Sequence, residues 1–257
     1  MAAELAQRGL VGSREIVEGR YGIFRDYVRT EHPDWRVLLD GLGERFPMLD
    51  MPGFKVWPAC GYTRPTNAAT LELRREHRIA SEDVETTTIC AGTGATQLLC
   101  EPLDLKRRPK LGIDGKYSIP FTTAVMMVKG NVTLRDYTED GLRDPAVLAM
   151  ADRVSYRADP NPALPRGGNS TVSRPTVEIR LKDGRVLSRQ VVEGVPGDPS
   201  RPVTRDALEA KFRDCVSFAA VPLAPGNIDD ASSSSAISTA SPMSPKIAQL
   251  LTPEPAE

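Results

Sequence analysis

Two cations set on either side of a short loop form the part of this sequence best suited to chemistry. The segment Lys55-Val56-Trp57-Pro58-Ala59-Cys60-Gly61-Tyr62-Thr63-Arg64-Pro65 places a lysine before a Trp-Pro pair, then a run of small residues, then an arginine where Pro65 can open a helix. Helix starts offer backbone N–H groups to anions, arginine grips carboxylates through paired donors, and the bulk of Trp57-Pro58 is placed to shield Lys55 from water. These are the parts of a carboxylate site. They also describe a structural loop with surface cations, and the segment alone leaves both readings open. In a site, Lys55 would hold developing negative charge, or move a proton if burial lowered its pKa from about 10.4. Arg64 would only clamp, because a guanidinium stays protonated.

Other chemistries find less support. Cys60, Cys90, Cys100 and Cys215 show no C-x-x-C spacing, and the two histidines, His32 and His77, lie near none of them in sequence. No metal and no cofactor are expected, and the cysteines read as reduced, mostly buried thiols. Gly92-Thr93-Gly94 begins like a dinucleotide fingerprint but lacks its third glycine, so it reads as a loop pair. Lys106-Arg107-Arg108-Pro109-Lys110 reads as a solvated basic loop or, less simply, as a run that serves nuclear import, nucleic acid or an anionic ligand. With 34 acidic against 33 basic residues, no whole-molecule field attracts nucleic acid or an anionic membrane. No run approaches the ~18 apolar residues that span a bilayer, and the first residues resemble no signal peptide. The expectation is a cytoplasmic protein.

The elements that must position Lys55 and Arg64 follow from periodicity and punctuation. Val17, Tyr21, Phe24 and Val28 predict a helix from Ser13 to Arg29, and Trp35, Leu38, Leu39 and Leu42 predict a second after Asp34, closed by Gly41 and Gly43. A crossing near Pro47 precedes an extended piece at residues 54–58 and a helix from Pro65 to about His77. Val84 to Ile89 reads as a strand. Pro120 to Val128 is apolar nearly all round and belongs inside the molecule, with Lys129 after it on a solvent loop. Asp144-Pro145 caps a helix whose apolar side runs from Val147 to Val154. Residues 177–181 alternate, Asp183-Gly184 turns the chain, and residues 186–192 return as a hairpin. Thr204 opens a last helix. From Gly226 on, the Ser/Pro-rich composition predicts a disordered tail, with Ile247, Leu250 and Leu251 as a possible short docking helix.

Four blocks in this order resemble the MmgE/PrpD family, which includes 2-methylcitrate dehydratase and cis-aconitate decarboxylase. They are Lys55 to Ala69; Gly115-Lys116-Tyr117-Ser118-Ile119-Pro120-Phe121; Asp144-Pro145-Ala146-Val147 with Asp152-Arg153-Val154; and Gly194-Val195-Pro196-Gly197-Asp198-Pro199 before Lys211-Phe212. The resemblance implies an α+β fold with a partial all-helical domain, residues 1–46 with 204–222, and a smaller two-layer α+β domain, residues 47–203, ahead of the tail at 226–257. It implies Lys55 as the catalytic lysine, with Arg64, Lys116 and Ser118 binding substrate.

By the same resemblance, the chain begins after the region that supplies most acid/base groups in the family. Cys60, Arg64 and Phe121 also stand where family members carry a histidine, a histidine and a tyrosine. Three readings follow: a hydro-lyase acting on a small hydroxy-polycarboxylate, completed by a homodimer or a complementary N-terminal chain; a non-catalytic binding or assembly module; and an independent small enzyme.

Overall fold

The computed structural model describes residues 2–20, 22–23, 27, 34, 36–46, 53–159, 174–191, 194–233 and 250–251. Contacts divide the chain into two units, Met1–Met51 and Pro52–Glu257.

The first unit holds two short helices, α1 (Ala2–Gln7) and α2 (Arg36–Leu39). Asp34 starts α2, accepting a hydrogen bond from the Arg36 backbone N–H at 3.1 Å. Hydrogen bonds from Arg36 hold the Asp34 carboxyl below its usual range. Gly41 and Gly43 end the following turn at φ 68° and 87°, a conformation glycine adopts without strain. The helix expected from Ser13 does not form over its first part, where residues 14–18 are turns. An amphipathic helix gains most of its stability from an apolar surface laid against its stripe. Here Ile16 and Val17 are exposed, and no described apolar side chain of this unit is buried. Tyr21, Phe24, Val28 and Trp35, on which the two expected stripes also rest, lie outside the described residues.

In the second unit a tight turn at Gly61–Thr63 leads into α3 (Arg64–Glu76), with Pro65 in its first turn. Strand β1 (Val84–Gly92) runs straight into α4 (Thr93–Cys100). Gly92-Thr93-Gly94 is therefore a strand end and helix start, not the expected loop. Three helices follow, α5 (Leu103–Arg107), α6 (Gly112–Lys116) and α7 (Ile119–Lys129). Next come α8 (Glu139–Leu142), α9 (Pro145–Ala151) and β2 (Val154–Asp159). The hairpin is β3 (Thr176–Leu181) and β4 (Val186–Gln190), turned at Gly184 with φ 89°. Two helices close the unit, α10 (Arg205–Val216), capped by the Thr204 hydroxyl, and α11 (Pro225–Ser233).

The sheet is mixed, in the order β2-β1-β3-β4. Parallel pairing sets Ile89 of β1 opposite Tyr156 of β2, and antiparallel pairing sets it opposite Val177 of β3. Thr87, Ile89, Ala91, Val177, Ile179 and Leu181 are buried at every second position, the period-two pattern of a sheet with one covered face. Val154 is a correction to the sequence reading. The helix stops at Ala151, and the β-branched Val154 starts β2 opposite Thr87.

Helix α7 is the centre of the core. Every residue from Ile119 to Met127 is buried, and the helix packs against α3, α4, α5, α6, α9 and β2. The basic run is not a solvated loop. Arg107 donates to the Val154 carbonyl at 2.9 and 2.7 Å, Arg108 pairs with Asp152, and the Lys106 ammonium donates to the Tyr117 carbonyl at 2.7 Å. Nor is the tail without structure from Gly226, since α11 forms there and Asp229 pairs with Arg213 of α10 at 2.8 Å. Leu250 and Leu251 are described and Ile247 is not, so the docking helix lies largely outside the described residues. No helix among the described residues is long and apolar enough to cross a membrane.

Lys129, expected on a solvent loop, ends α7 and bridges two carboxylates, Asp136 at 2.8 Å and Asp144 at 3.0 Å. Asp136 is 3% exposed and also accepts from the Thr133 backbone and hydroxyl. Burial opposes the Lys129 charge, but the hydrogen bonds and charges of both aspartates outweigh it and raise its pKa. Burial likewise opposes the Asp144 charge, and bonds from Lys129 and from the N–H groups that it caps on α9 hold its pKa below the usual range.

Lys129→Met should therefore cost about 2–3 kcal/mol at pH 7, because it strands the buried Asp136 carboxylate, with a discount for the partial exposure of the lysine. The stabilisation from Asp144 is present above its unfolded pKa of about 3.9 and fades as pH falls through its depressed folded value. That from Lys129 is present below about 10.4 and fades as pH rises through its raised value. Urea unfolding across pH checks both; an unchanged midpoint in the variant would contradict the bridge.

Candidate functional site

The segment 54–60, expected as extended over 54–58, bends at 56–59 and is held at three points of its backbone. The Phe54 N–H donates to the Gly197 carbonyl at 2.9 Å, the Val56 carbonyl accepts from the Lys211 ammonium at 3.2 Å, and the Cys60 N–H donates to the Lys116 carbonyl at 2.9 Å. Trp57 turns into the core, 3% exposed, and its indole N–H donates to the Asn131 side chain at 3.1 Å. This changes the expected setting of Lys55. With Trp57 directed inward, Lys55 is exposed, and the indole does not shield it.

The turn before α3 also differs from expectation. The Thr63 N–H donates to the Cys60 carbonyl at 3.0 Å and the Arg64 N–H to the Gly61 carbonyl. Both donors are used within the turn, and Pro65 has none. Few backbone N–H groups remain there for an anion.

Arg64 itself is well placed. Its side chain is 13% exposed and one terminal nitrogen, Nη2, donates to Asp198 Oδ1 at 2.6 Å and to the Pro196 carbonyl at 3.2 Å. Its Nε is buried and has no partner. The acid that orients it belongs to a tight loop: Asp198 Oδ2 accepts from the Val195 N–H at 2.9 Å, and the Gly197 N–H donates to the Arg201 carbonyl at 2.8 Å. Arg201 reaches Glu72 of α3 at 2.8 Å, and Arg189 of β4 pairs with Glu72 and Glu76. The loop is thus tied to α3 along most of its length. Gly197 sits at φ 96°, and a Cβ there would lie 2.0 Å from the Phe54 carbonyl oxygen.

Of the other two candidates, Lys116 lies beside Cys60, whose N–H its carbonyl accepts, and Ser118 follows two residues later. Lys116 ends α6, and its ammonium stands 5.5 Å from the centre of the Tyr137 ring, within range of a cation–π contact. Ser118 is fully buried, its hydroxyl donating to the Lys106 carbonyl and accepting from the Phe121 N–H at 3.0 Å as the cap of α7. That hydroxyl is engaged on both sides, which makes it a structural group. Phe121, also fully buried, is 6.3 Å from the Tyr137 ring. Burial, and then the charge of Asp136, push the Tyr137 hydroxyl up, and that buried oxygen has no partner. Burial pushes the Cys100 thiol up to about 12, so it stays protonated and unreactive at neutral pH.

Residues 57–222 match the MmgE/PrpD C-terminal domain. The chain belongs to the MmgE/PrpD family. Arg64, Lys116, Ser118 and the Asp198 loop fall inside the matched region, and Lys55 lies two residues before it. No curated protein matches the chain. Within this family domain the structure joins three segments far apart in sequence, 54–64, 116–118 and 194–201, through the hydrogen bonds above. The Lys55 side chain takes no part in those bonds. The sequence reading did not foresee Asp198 as the partner of Arg64, although a Gly-Asp-Pro turn is a recognisable place for a carboxylate that bonds its own loop. It also passed over Asn67, whose only signal is its place three residues after Arg64. Among the described residues, no cluster of His, Cys, Asp and Glu could hold a metal.

Two substitutions should separate the parts of the clasp. Gly197→Ala should cost about 2–3 kcal/mol through the strained φ and the blocked approach of Phe54. Asp198→Ala should cost about 2–4 kcal/mol, because it leaves the Arg64 charge buried without its acid. Chemical denaturation measures both; a loss below about 0.5 kcal/mol in either would mean that the loop does not hold the segment.

Proposed function

We propose that this chain contributes the carboxylate-holding part of a hydro-lyase site acting on a small hydroxy-polycarboxylate, of the 2-methylcitrate dehydratase kind. The observation that supports this most directly is Arg64: a nearly buried guanidinium, oriented by Asp198, with its Nε hydrogen unengaged. Removing a proton beside a carboxylate builds negative charge on that carboxylate. Fixed donors that meet the charge as it develops lower the barrier. Arg64 would grip one carboxylate, Lys55 would hold a second or steady the developing charge, and Lys116 would add to the local positive field.

The base has to come from elsewhere. His77 caps the far end of α3, about 20 Å along the helix from Arg64 at 1.5 Å per residue, and the Cys60, Arg64 and Phe121 positions carry no imidazole or phenol. The proposal therefore includes a second polypeptide, a complementary helical chain or another copy, that brings the acid/base groups and covers Lys55. In that assembly residues 1–46 and 204–222 would join one helical domain, with 47–203 as the smaller domain over the cleft. The exposed apolar side chains of the first unit, among them Leu10, Val11, Leu39 and Leu42, are the surface such a partner would bury. The four unpaired cysteines fit a reducing, cytoplasmic setting. A non-catalytic module is the alternative, favoured by the engaged Ser118 hydroxyl and the exposed Lys55.

Light scattering should find an oligomer, or mixed assembly with a helical partner chain; a dilution-stable monomer that binds no hydrophobic dye would remove the need for one. On the assembled protein, calorimetry with citrate should show Lys55→Ala weakening binding about tenfold, as expected for the loss of one charge-assisted contact worth ~1.5–3 kcal/mol. Lys182→Ala, on the exposed hairpin turn, should bind like the parent. Lys129 is no control, since it has a structural role. Citrate binding without turnover would favour the module, and no binding at all would end the carboxylate reading.

A further inference from the structure

Helix α3 carries a second polar group that its surroundings leave unengaged. Asn67 is fully buried, and neither its amide nitrogen nor its amide oxygen has a hydrogen-bond partner. Buried side-chain amides are nearly always satisfied, because an orphaned one gives up its bonds to water and gains none in return. The threonine hydroxyls of its own stretch of chain do not serve it as donors, because each is bonded along the chain: Thr63 to the Cys60 carbonyl, Thr66 to the Thr63 carbonyl and Thr70 to the Thr66 carbonyl, each at 2.8 Å. Asn67 lies three residues after Arg64, on an adjoining part of the helix surface, and the Arg64 Nε is the other orphaned donor of this helix among the described residues.

We infer that Asn67 is a specificity-determining residue that recognises a hydroxyl group on the acid held by Arg64. The chemistry follows from what each kind of ligand group can offer. A carboxylate only accepts, so it would satisfy Nδ2 and leave Oδ1 bare. An ammonium only donates and would do the reverse. A hydroxyl does both, accepting from Nδ2 while donating to Oδ1. Beside the Arg64 guanidinium, which takes a carboxylate, the amide therefore selects a hydroxy acid over its deoxy analogue. Sites built to hydrogen-bond a substrate hydroxyl reject the analogue that lacks it, because their own polar groups are then left unpaired.

This inference rests on the carboxylate reading and can fail separately from it. The probes are citrate and tricarballylate, which carry the same three carboxylates and differ by one hydroxyl. Calorimetry on the assembled protein should show citrate bound at least tenfold more tightly. In Asn67→Leu that ratio should fall to about one, with tricarballylate affinity unchanged within about twofold. Asn67→Gln, which keeps the amide, should retain part of the preference. Thermal unfolding of each variant checks that it folds, and Asn67→Ser replaces the leucine variant if that one does not. Equal binding of the two acids by the parent, or a citrate preference that survives Asn67→Leu, would overturn the role of Asn67 and leave the anion site standing. Binding of neither acid would overturn both.

Discussion

A helix that is apolar on nearly every side cannot leave those sides in water, and burying α7 organises the second unit. The residues from Ile119 to Met127 are all buried; at about 1.5–3 kcal/mol for each large side chain taken from water, this helix is a main source of the unit's stability. Covering it requires α3 on one flank, α9 on another, and the sheet with α4 and α5 on the rest. The polar pieces at its ends then have defined tasks. Ser118 caps the start and ties it to Lys106, Lys129 anchors the finish on two aspartates, and Arg74 of α3 donates to the Met127 carbonyl at 2.9 Å. Because α3 must lie on α7, its first turn is brought beside the end of α6, and Cys60 reaches Lys116. The candidate site is thus a consequence of how one helix is covered.

The Arg64–Asp198 pair plays a different part. A nearly buried ion pair gains little net stability, since desolvation offsets much of the attraction. What it does supply is orientation. With Asp198 bonded to its own loop and the loop tied to α3 through Arg201 and Glu72, the guanidinium has one arrangement, and its buried Nε hydrogen is held without a partner. Preorganised donors of this kind act without the cost of reorienting when charge appears.

Much of this architecture was legible in the sequence, for reasons that differ by element. The hairpin shows in the alternation of residues 177–182 before Asp183-Gly184, the helices at Pro65, Asp144-Pro145 and Thr204 show in their opening residues, and α7 shows in a nearly all-apolar run. These are local signals, and local physics decides them. Strand β2 was not legible, because Val154 fits an apolar helical stripe as well as it fits a strand; only the neighbouring β1 selects the second. The stripe from Val17 to Val28 failed in the opposite way over its described part, since a pattern needs a surface to pack against. The site divides along the same line. Lys55, Arg64, Lys116 and Ser118 could be named from residue types, but the engaged state of Ser118 depends on a bond to Lys106 in a separate helix, and the inward turn of Trp57 beside Lys55 and the role of Asp198 depend on contacts across 74 and 134 residues of chain. No spacing rule encodes those.

The exposure of Lys55 carries a further consequence for the proposed chemistry. In water two unit charges 4 Å apart attract by only about 1 kcal/mol, and at the effective dielectric of a partly enclosed site by about 4 kcal/mol. Salt weakens the exposed contact further. Arg64, nearly enclosed, already works in the second regime, whereas Lys55 stands in the first. A substrate gripped by both would be held mainly at the Arg64 end, leaving the Lys55 end loosely placed until something excludes water from it. The lysine's contribution is therefore conditional on cover, and cover by a helical partner would do two things together. It would strengthen the lysine's hold on the carboxylate by excluding water, and the same surface would carry the acid/base groups. On this reading the missing base and the uncovered lysine are one deficiency, and the same partner surface would remedy both.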